Sequence, residues 1–146
     1  MQRRQFIKTS CLACLSGIAL SSLLESCSAT SYITGTISGD ALIVPLTEFQ
    51  LIKNGQVQFR KYLVVQNNTL QFPICIYRLS EESYSALWMQ CTHQGTELQV
   101  FGDKLQCPAH GSEFSNTGKV ESAPAASNLK SFKVLIEDKQ LKILLT

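Results

Sequence analysis

Both histidines of this chain and two of its six cysteines lie within the stretch from Cys91 to Gly111. They are arranged as Cys91-x-His93 and Cys107-x-x-His110, with thirteen residues between the two pairs. Thiolates and imidazoles together form a ligand set for iron or zinc. Zinc fingers usually supply each kind of ligand in its own pair, whereas here each pair holds one of each. Two such loops can place both thiolates on one metal ion and both imidazoles on a second ion.

The segments CTHQG and CPAHGS resemble the two cluster loops of the Rieske 2Fe-2S family. The resemblance rests on residue identity, order, spacing and the glycine that follows each histidine. It implies a 2Fe-2S cluster whose inner iron is held by Cys91 and Cys107. His93 and His110 would then hold the outer, solvent-facing iron, and one-electron transfer would be the function. A zinc site built from the same four side chains is the alternative.

The spacer between the two motifs predicts a hairpin. Alternating ELQVF and KLQC segments flank Gly102-Asp103, a dipeptide that tolerates positive φ. Such a hairpin would hold the two loops side by side at its open end. Gly95 and Gly111 would let the backbone approach a cluster without a Cβ in the way.

Several neighbours of the ligands differ from the high-potential members of the family. Those members brace the loops with a disulfide, but Thr96 and Ala109 stand at the corresponding positions. Ser112 matches the serine whose hydroxyl points at a bridging sulfide, whereas Phe114 replaces a tyrosine that donates to a ligand sulfur. Hydrogen bonds to sulfur raise the potential. One donor kept and one lost predicts a potential between the family extremes of roughly -150 and +300 mV.

Two further features of the sequence concern the surface around the cluster. Gln94 replaces the leucine common in quinol-oxidising members, so a polar side chain stands where an apolar one usually docks against quinone. Residues 121–129 resemble the proline-containing loop that covers the cluster, with Pro124 in its Ala-Pro core. The usual glycine before that core is absent.

Residues 1–27 read as an export signal. The sequence QRRQFIK resembles the twin-arginine motif, which directs folded, cofactor-loaded proteins across the bacterial inner membrane. The apolar run that follows is shorter than a membrane-spanning helix requires. Leu24-Glu25-Ser26-Cys27 resembles a lipobox, which makes Cys27 a candidate for lipidation and predicts a tether on the periplasmic side. Cleavage without lipid and an uncleaved anchor are the alternatives.

Charge and histidine count exclude two classes of function. From residue 27 on the chain has ten basic and ten acidic residues, so no basic surface for nucleic acid is expected. An oxygenase needs a further iron held by two histidines and a carboxylate, and both histidines are already used. The expected partners are redox proteins, whether the chain is a free carrier or a small subunit of a quinol-oxidising complex or a molybdenum enzyme. A zinc-binding structural module is the alternative of another class.

Short apolar segments separated by turn residues predict an all-β fold for residues 28–146, with the cluster-binding region at about 88–128. The resemblance implies stacked antiparallel sheets with a small cluster-binding subdomain. Cys75 is expected to be a buried free thiol. The candidate strands are ALIVPL, FQLIK, VQFRKYLVVQ, FPICIYRL, YSALWMQ, the hairpin, LKSFKVLIE and QLKILL. The candidate core residues are Phe59, Leu63, Val65, Phe72, Ile74, Ile76, Leu87, Val134 and Ile136.

Overall fold

The computed structural model describes Thr30 and residues 32–146. The predicted export signal, residues 1–27, and the lipidation candidate Cys27 lie outside the described residues. Among the described residues no helix has the length and apolar character needed to cross a membrane.

The largest sheet has eight strands in the order β1-β6-β7-β8-β13-β14-β3-β2. Neighbouring strands are antiparallel except for β1 and β6, which are parallel. Its strands are β1 (Tyr32–Thr34), β2 (Thr36–Ser38), β3 (Ala41–Pro45), β6 (Tyr62–Gln66), β7 (Ile74–Arg78), β8 (Tyr84–Trp88), β13 (Ser131–Glu137) and β14 (Gln140–Leu144).

Two smaller sheets complete the fold. A four-stranded antiparallel sheet, in the order β12-β11-β10-β9, is inserted between β8 and β13. A 3-10 helix (Leu46–Phe49) leads into a separate two-stranded hairpin. The strands of these sheets are β4 (Gln50–Lys53), β5 (Gln56–Phe59), β9 (Gln99–Phe101), β10 (Lys104–Gln106), β11 (Glu113–Ser115) and β12 (Val120–Ser122).

Strand β7 separates two apolar cores, because successive side chains of a strand point to opposite faces of the sheet. Ile74 and Ile76 enter a core formed with β3, β6 and β14. Cys75 and Tyr77 enter a second core, which also contains both motif cysteines. The four-stranded sheet is thus packed on one face of the large sheet, as expected for a cluster-binding subdomain.

The expected all-β class is confirmed, and each predicted segment contains a strand. The segment VQFRKYLVVQ is not one strand, since it divides at Arg60-Lys61 into β5 and β6, which belong to different sheets. The sequence interpretation did not include β1, β2, β11 or β12.

The core prediction holds for Leu63, Val65, Ile74, Ile76 and Leu87, which are all buried. Phe72 and Val134 are partly buried. Phe59 and Ile136 are exposed, so the prediction is wrong for them. Phe59 lies on the separate hairpin, where the guanidinium carbon of Arg78 sits 4.5 Å from its ring centroid. Ile136 lies near the end of β13, beyond Ser131 and Phe132, the two residues that pair with β8.

Candidate metal centre

The hairpin of β9 and β10 places the two motifs next to each other. Phe101 pairs with Lys104 across a turn in which Gly102 has a φ of 60°. This is the predicted Gly102-Asp103 turn. The first motif directly precedes this hairpin and the second follows it, so both loops lie at its open end.

The backbone of the two loops repeats the same pair of hydrogen bonds. The N–H of Gly95 donates to the carbonyl of Cys91 at 2.8 Å, and the N–H of Gly111 donates to that of Cys107 at 2.9 Å. In the opposite direction, the cysteine N–H groups donate to the carbonyls of Thr96 and Ser112, both at 2.8 Å. Each loop is therefore a closed turn that fixes its cysteine at the base.

Both closing glycines adopt the left-handed backbone conformation. The φ of Gly95 is 75° and that of Gly111 is 78°. A residue with a Cβ adopts this region only with strain, so glycine is required where each turn closes. The expected close approach of the two glycines to a cluster stays a prediction.

The two cysteines form a buried pair. Each is 2% exposed, and both belong to the same buried core. Burial acts to raise the pKa of Cys107. This effect is outweighed by groups that lower the pKa, which are the backbone N–H groups of His110 and Ala109 and the side chains of Cys91 and Thr96. The pKa therefore lies below its usual value. A thiol that is ready to lose its proton is suited to bind a metal.

The two histidines form a second, exposed pair. Their ring centroids are 5.1 Å apart and the rings are nearly perpendicular, at 86°. Both residues are exposed to solvent, in contrast to the cysteines. The four side chains thus divide into an inner sulfur pair and an outer nitrogen pair.

This division fits a two-iron cluster. Within the part of the chain that the structure describes, no three His, Cys, Asp or Glu side chains converge on one metal position. In Rieske centres two cysteines bind one iron and two histidines bind the other. The buried cysteines, with their lowered Cys107 pKa, would hold the inner iron, and the exposed histidines would hold the outer one.

The segment 121–129, named the cover segment here, is tied to both loops. The backbone N–H of Ala125 donates to Oγ of Ser112 at 3.0 Å, and Oγ1 of Thr92 donates to the carbonyl of Ser127 at 2.8 Å. Ser112 is fully buried, whereas Pro124, which directly precedes Ala125, is exposed. The cover segment is therefore fixed against the site.

Three other residues singled out in the sequence lie in different environments. Phe114 is fully buried in the core that contains both motif cysteines. Gln94 is exposed between the histidine and glycine of the first loop. Cys75 is a buried free thiol, as expected, and burial raises its pKa strongly.

Sequence reasoning missed the roles of three residues that organise the site. Thr92 holds the cover segment, and Asn128 accepts from the N–H of Val120 through Oδ1 at 3.0 Å. The Thr96 side chain acts to lower the pKa of the Cys107 thiol. The sequence offers one signal for Thr92, which is its position between the two ligands Cys91 and His93. A hydroxyl at that position can reach a segment that packs against the loop.

Comparison with known proteins agrees with this geometry. The family model of the Rieske 2Fe-2S domain matches residues 47–133. The cytochrome b6-f complex iron-sulfur subunit of Chlorobaculum tepidum is 35% identical over 63 residues, which are 42% of this chain and 35% of that protein. The subunit of the same name from Prochlorococcus marinus is 40% identical over 55 residues, covering 36% and 31% of the two chains. The match spans about a third of the length of these curated relatives.

Solved structures show the same fold. The cyanobacterial plasma membrane Rieske protein PetC3 from Synechocystis PCC 6803 aligns with a TM-score of 0.50 and 28% identity, over 57% of this chain and 85% of that one. The ferredoxin of carbazole 1,9a-dioxygenase from Nocardioides aromaticivorans aligns with a TM-score of 0.51 and 14% identity, over 71% and 95%, and supports the fold alone. With a family match over more than half of its length and a site divided into sulfur and nitrogen pairs, the chain belongs to the Rieske 2Fe-2S domain family.

Proposed function

We propose that this protein transfers single electrons between redox partner proteins through a Rieske 2Fe-2S cluster. A reduced partner gives up one electron, the cluster holds it, and an oxidised partner removes it. The protein itself makes and breaks no substrate bond in this process.

The observation that carries the proposal is the difference in exposure between the two ligand pairs. Cys91 and Cys107 are buried at the base of their loops, whereas His93 and His110 are exposed with their rings 5.1 Å apart. A cluster bound there would be shielded on its sulfur side. The histidine edges are the shortest path for an electron to a partner surface.

We propose further that the protein is exported and held at the periplasmic face of the inner membrane. This rests on the sequence of residues 1–27, in which a twin-arginine motif precedes an apolar run and Cys27 follows a lipobox-like segment. A cluster assembled in the cytoplasm requires export of the folded protein, and the twin-arginine route provides it.

A second candidate is a subunit of a quinol-oxidising complex. The relatives named cytochrome b6-f complex iron-sulfur subunit favour it. Three positions of this chain argue for the free carrier instead. Thr96 and Ala109 leave the loops without a disulfide brace, and Gln94 is an exposed polar side chain beside the histidines.

Electron paramagnetic resonance of the reduced protein, followed through a redox titration, tests the proposal. A rhombic signal of low average g would report the mixed cysteine and histidine ligation, and its midpoint would place the protein among carriers or quinol-linked subunits. We expect a midpoint between the family extremes of roughly -150 and +300 mV. A colourless, silent protein that contains zinc would refute electron transfer and leave the structural module.

A further inference from the structure

Gln90, the residue before the first ligand cysteine, lies between strand β8 and the first cluster loop. Its backbone forms an antiparallel bridge with Glu97, so these two residues close the base of the loop of residues 91–96. Directly inside this base, the N–H of Cys91 donates to the carbonyl of Thr96 at 2.8 Å. The backbone at position 90 is therefore fixed relative to the loop.

The orientation of the Gln90 amide is set by Trp88. Nε1 of Trp88 donates to Oε1 of Gln90 at 3.1 Å. An indole nitrogen can donate a hydrogen bond but cannot accept one, so the amide atom that faces it must be the oxygen. The NH₂ group of Gln90 is therefore at the end of the amide that Trp88 does not contact.

The ring of Trp88 is held in turn by two aromatic neighbours. Its centroid is 5.9 Å from that of Phe72 and 5.9 Å from that of Phe132, and both contacts are edge to face. Its backbone N–H donates to the carbonyl of Lys130 at 2.9 Å. Because edge-to-face contacts favour a defined ring orientation, the indole N–H is a rigid support for the amide of Gln90.

The NH₂ group of Gln90 lies against Gly95, which closes the first loop. A Cβ added to Gly95 would stand 3.3 Å from Nε2 of Gln90, a tight contact. The N–H of Gly95 donates to the carbonyl of Cys91, so this glycine belongs to the closed turn itself. The positive end of the amide dipole is therefore directed at the loop that carries Cys91 and His93.

The second loop is preceded by the same residue type in a different arrangement. Gln106 directly precedes Cys107 and is half-buried, as Gln90 is. Nε2 of Gln106 donates to Oε1 of Glu113 at 3.3 Å, across the β10–β11 pair. Its NH₂ group is thus engaged by a carboxylate. The two glutamines hold equivalent places in their motifs and differ in what their amides contact.

We propose that Gln90 raises the reduction potential of the cluster by holding the NH₂ end of its amide against the first loop, and that Trp88 is the positioning residue that fixes this orientation. The inference rests on the cluster of the proposed function and deepens it. Reduction adds one negative charge to the cluster, so the positive end of a nearby dipole stabilises the reduced state. Partial burial strengthens this interaction, since the local dielectric constant is lower than that of water.

Gln90→Met tests the role of the amide in the cluster-loaded protein. Methionine is similar in length and apolar, so it keeps the packing against Gly95 and removes the dipole. At a fixed ambient potential near the midpoint, the ratio of reduced to oxidised cluster is expected to fall about threefold. Gln106→Met is the matched control and should leave this ratio unchanged. An optical redox titration measures the ratio in both variants.

Trp88→Phe tests the positioning role. Phenylalanine keeps an aromatic ring between Phe72 and Phe132 and removes the N–H that orients the amide. The ratio of reduced to oxidised cluster should fall about twofold, because the amide is then free to turn. The double variant with Gln90→Met should fall no further than Gln90→Met alone, since both substitutions remove the same oriented dipole.

The indole N–H of Trp88 provides a readout that does not depend on electron transfer. Trp88 is the single tryptophan of the chain, so its indole gives one signal in a nitrogen-15 NMR spectrum. In Gln90→Met this signal should shift, and its hydrogen exchange should accelerate about tenfold through loss of the hydrogen bond. In Gln106→Met the signal should stay in place.

The combined results separate the possible failures. A shifted indole signal with an unchanged redox ratio in Gln90→Met overturns the inference and leaves the proposed electron transfer intact. An unmoved indole signal in Gln90→Met overturns the positioning role of Trp88. Equal falls of the ratio in Gln90→Met and Gln106→Met overturn the specific role of the first loop. Protein without a Rieske-type resonance signal overturns the proposed function and this inference with it.

Discussion

Oγ of Ser112 accepts a hydrogen bond from the backbone N–H of Ala125 at 3.0 Å, and so joins the second cluster loop to the cover segment. Because the bond uses the oxygen as acceptor, the hydroxyl hydrogen remains available to donate. Ser112 is fully buried, so its orientation is fixed by its surroundings. A single side chain thus couples loop position to the electronic environment of the site.

Ser112→Ala is expected to lower the reduction potential. The loss of one hydrogen bond to a charged acceptor costs about 1.4 kcal/mol, which corresponds to about 60 mV in the potential of a one-electron couple. The buried N–H of Ala125 also loses its partner, so the free energy of unfolding should fall by about 1–3 kcal/mol. Redox titration and denaturant unfolding measure the two effects. Ser122→Ala, on β12, is the control, and an equal shift in that variant would contradict the assignment.

Thr96→Val is expected to lower the potential without a change in shape. The Thr96 side chain acts to lower the pKa of the Cys107 thiol. The same donor would stabilise the more negative reduced state, so its removal should cost up to about 60 mV. Thr117→Val, at an exposed threonine outside both loops, is the matched control. A potential unchanged in Thr96→Val would show that its hydroxyl does not serve the cluster.

Phe114→Tyr is expected to act in the opposite direction. Phe114 is fully buried in the core that contains Cys91 and Cys107. A new hydroxyl that reaches a ligand sulfur would raise the potential by about 60 mV. A hydroxyl that finds no acceptor would instead destabilise the fold by about 1–3 kcal/mol with the potential unchanged. Measuring both quantities on the same variant decides between these results.

The local parts of the site could be predicted because each depends on a few adjacent residues. The ligand set and the two glycines lie in short motifs, and the β9–β10 turn follows from Gly102-Asp103. The fold class also follows from local alternation. Each of these features depends on residues that are neighbours in the sequence, so the sequence alone is sufficient to predict it.

Long-range relationships could not be predicted in this way. The parallel pairing of β1 with β6 joins residues about thirty positions apart, and nothing local in Tyr32–Thr34 indicates it. The bonds from Thr92 and Ser112 to the cover segment are also long-range. Phe59 is a large apolar residue of the kind found in cores, but its hairpin is a separate sheet and belongs to neither core. Burial depends on which surfaces meet, and alternation alone does not specify that.

Removal of the cluster should loosen the second core and spare the first. Cys91 and Cys107 belong to the core beneath the four-stranded sheet, whereas the core of β3, β6 and β14 contains no ligand. Metal binding and folding are coupled through the ligands. After chelation, hydrogen exchange is expected to accelerate at the amides of residues 91–129 while β3 and β14 keep their protection.

The control for this experiment is the cluster-loaded protein under the same conditions. Equal acceleration throughout both cores would show that the fold depends on the cluster as a whole. Uniform protection would show that the loops hold their conformation without metal.

Stability above pH 9 should depend on Cys75. Burial raises the pKa of this thiol well above its ordinary value of 9.0. Above pH 9 the unfolded chain loses the thiol proton and the folded chain keeps it, so stability falls as pH rises. The slope for one proton is about 1.4 kcal/mol per pH unit. Tyr77, buried beside it with a raised pKa, adds to the loss at still higher pH.

Cys75→Val removes this titration while keeping a small apolar side chain in the second core. Between pH 9 and pH 10.5, the free energy of unfolding of the variant is expected to fall less steeply than that of the unmodified protein, by about 1.4 kcal/mol per pH unit. Below pH 8 the two slopes should coincide, since the thiol is protonated in both states there. Denaturant titrations across this range measure both slopes. Parallel curves up to pH 10.5 would mean that the thiol ionises in the folded protein, against the burial that the structure shows.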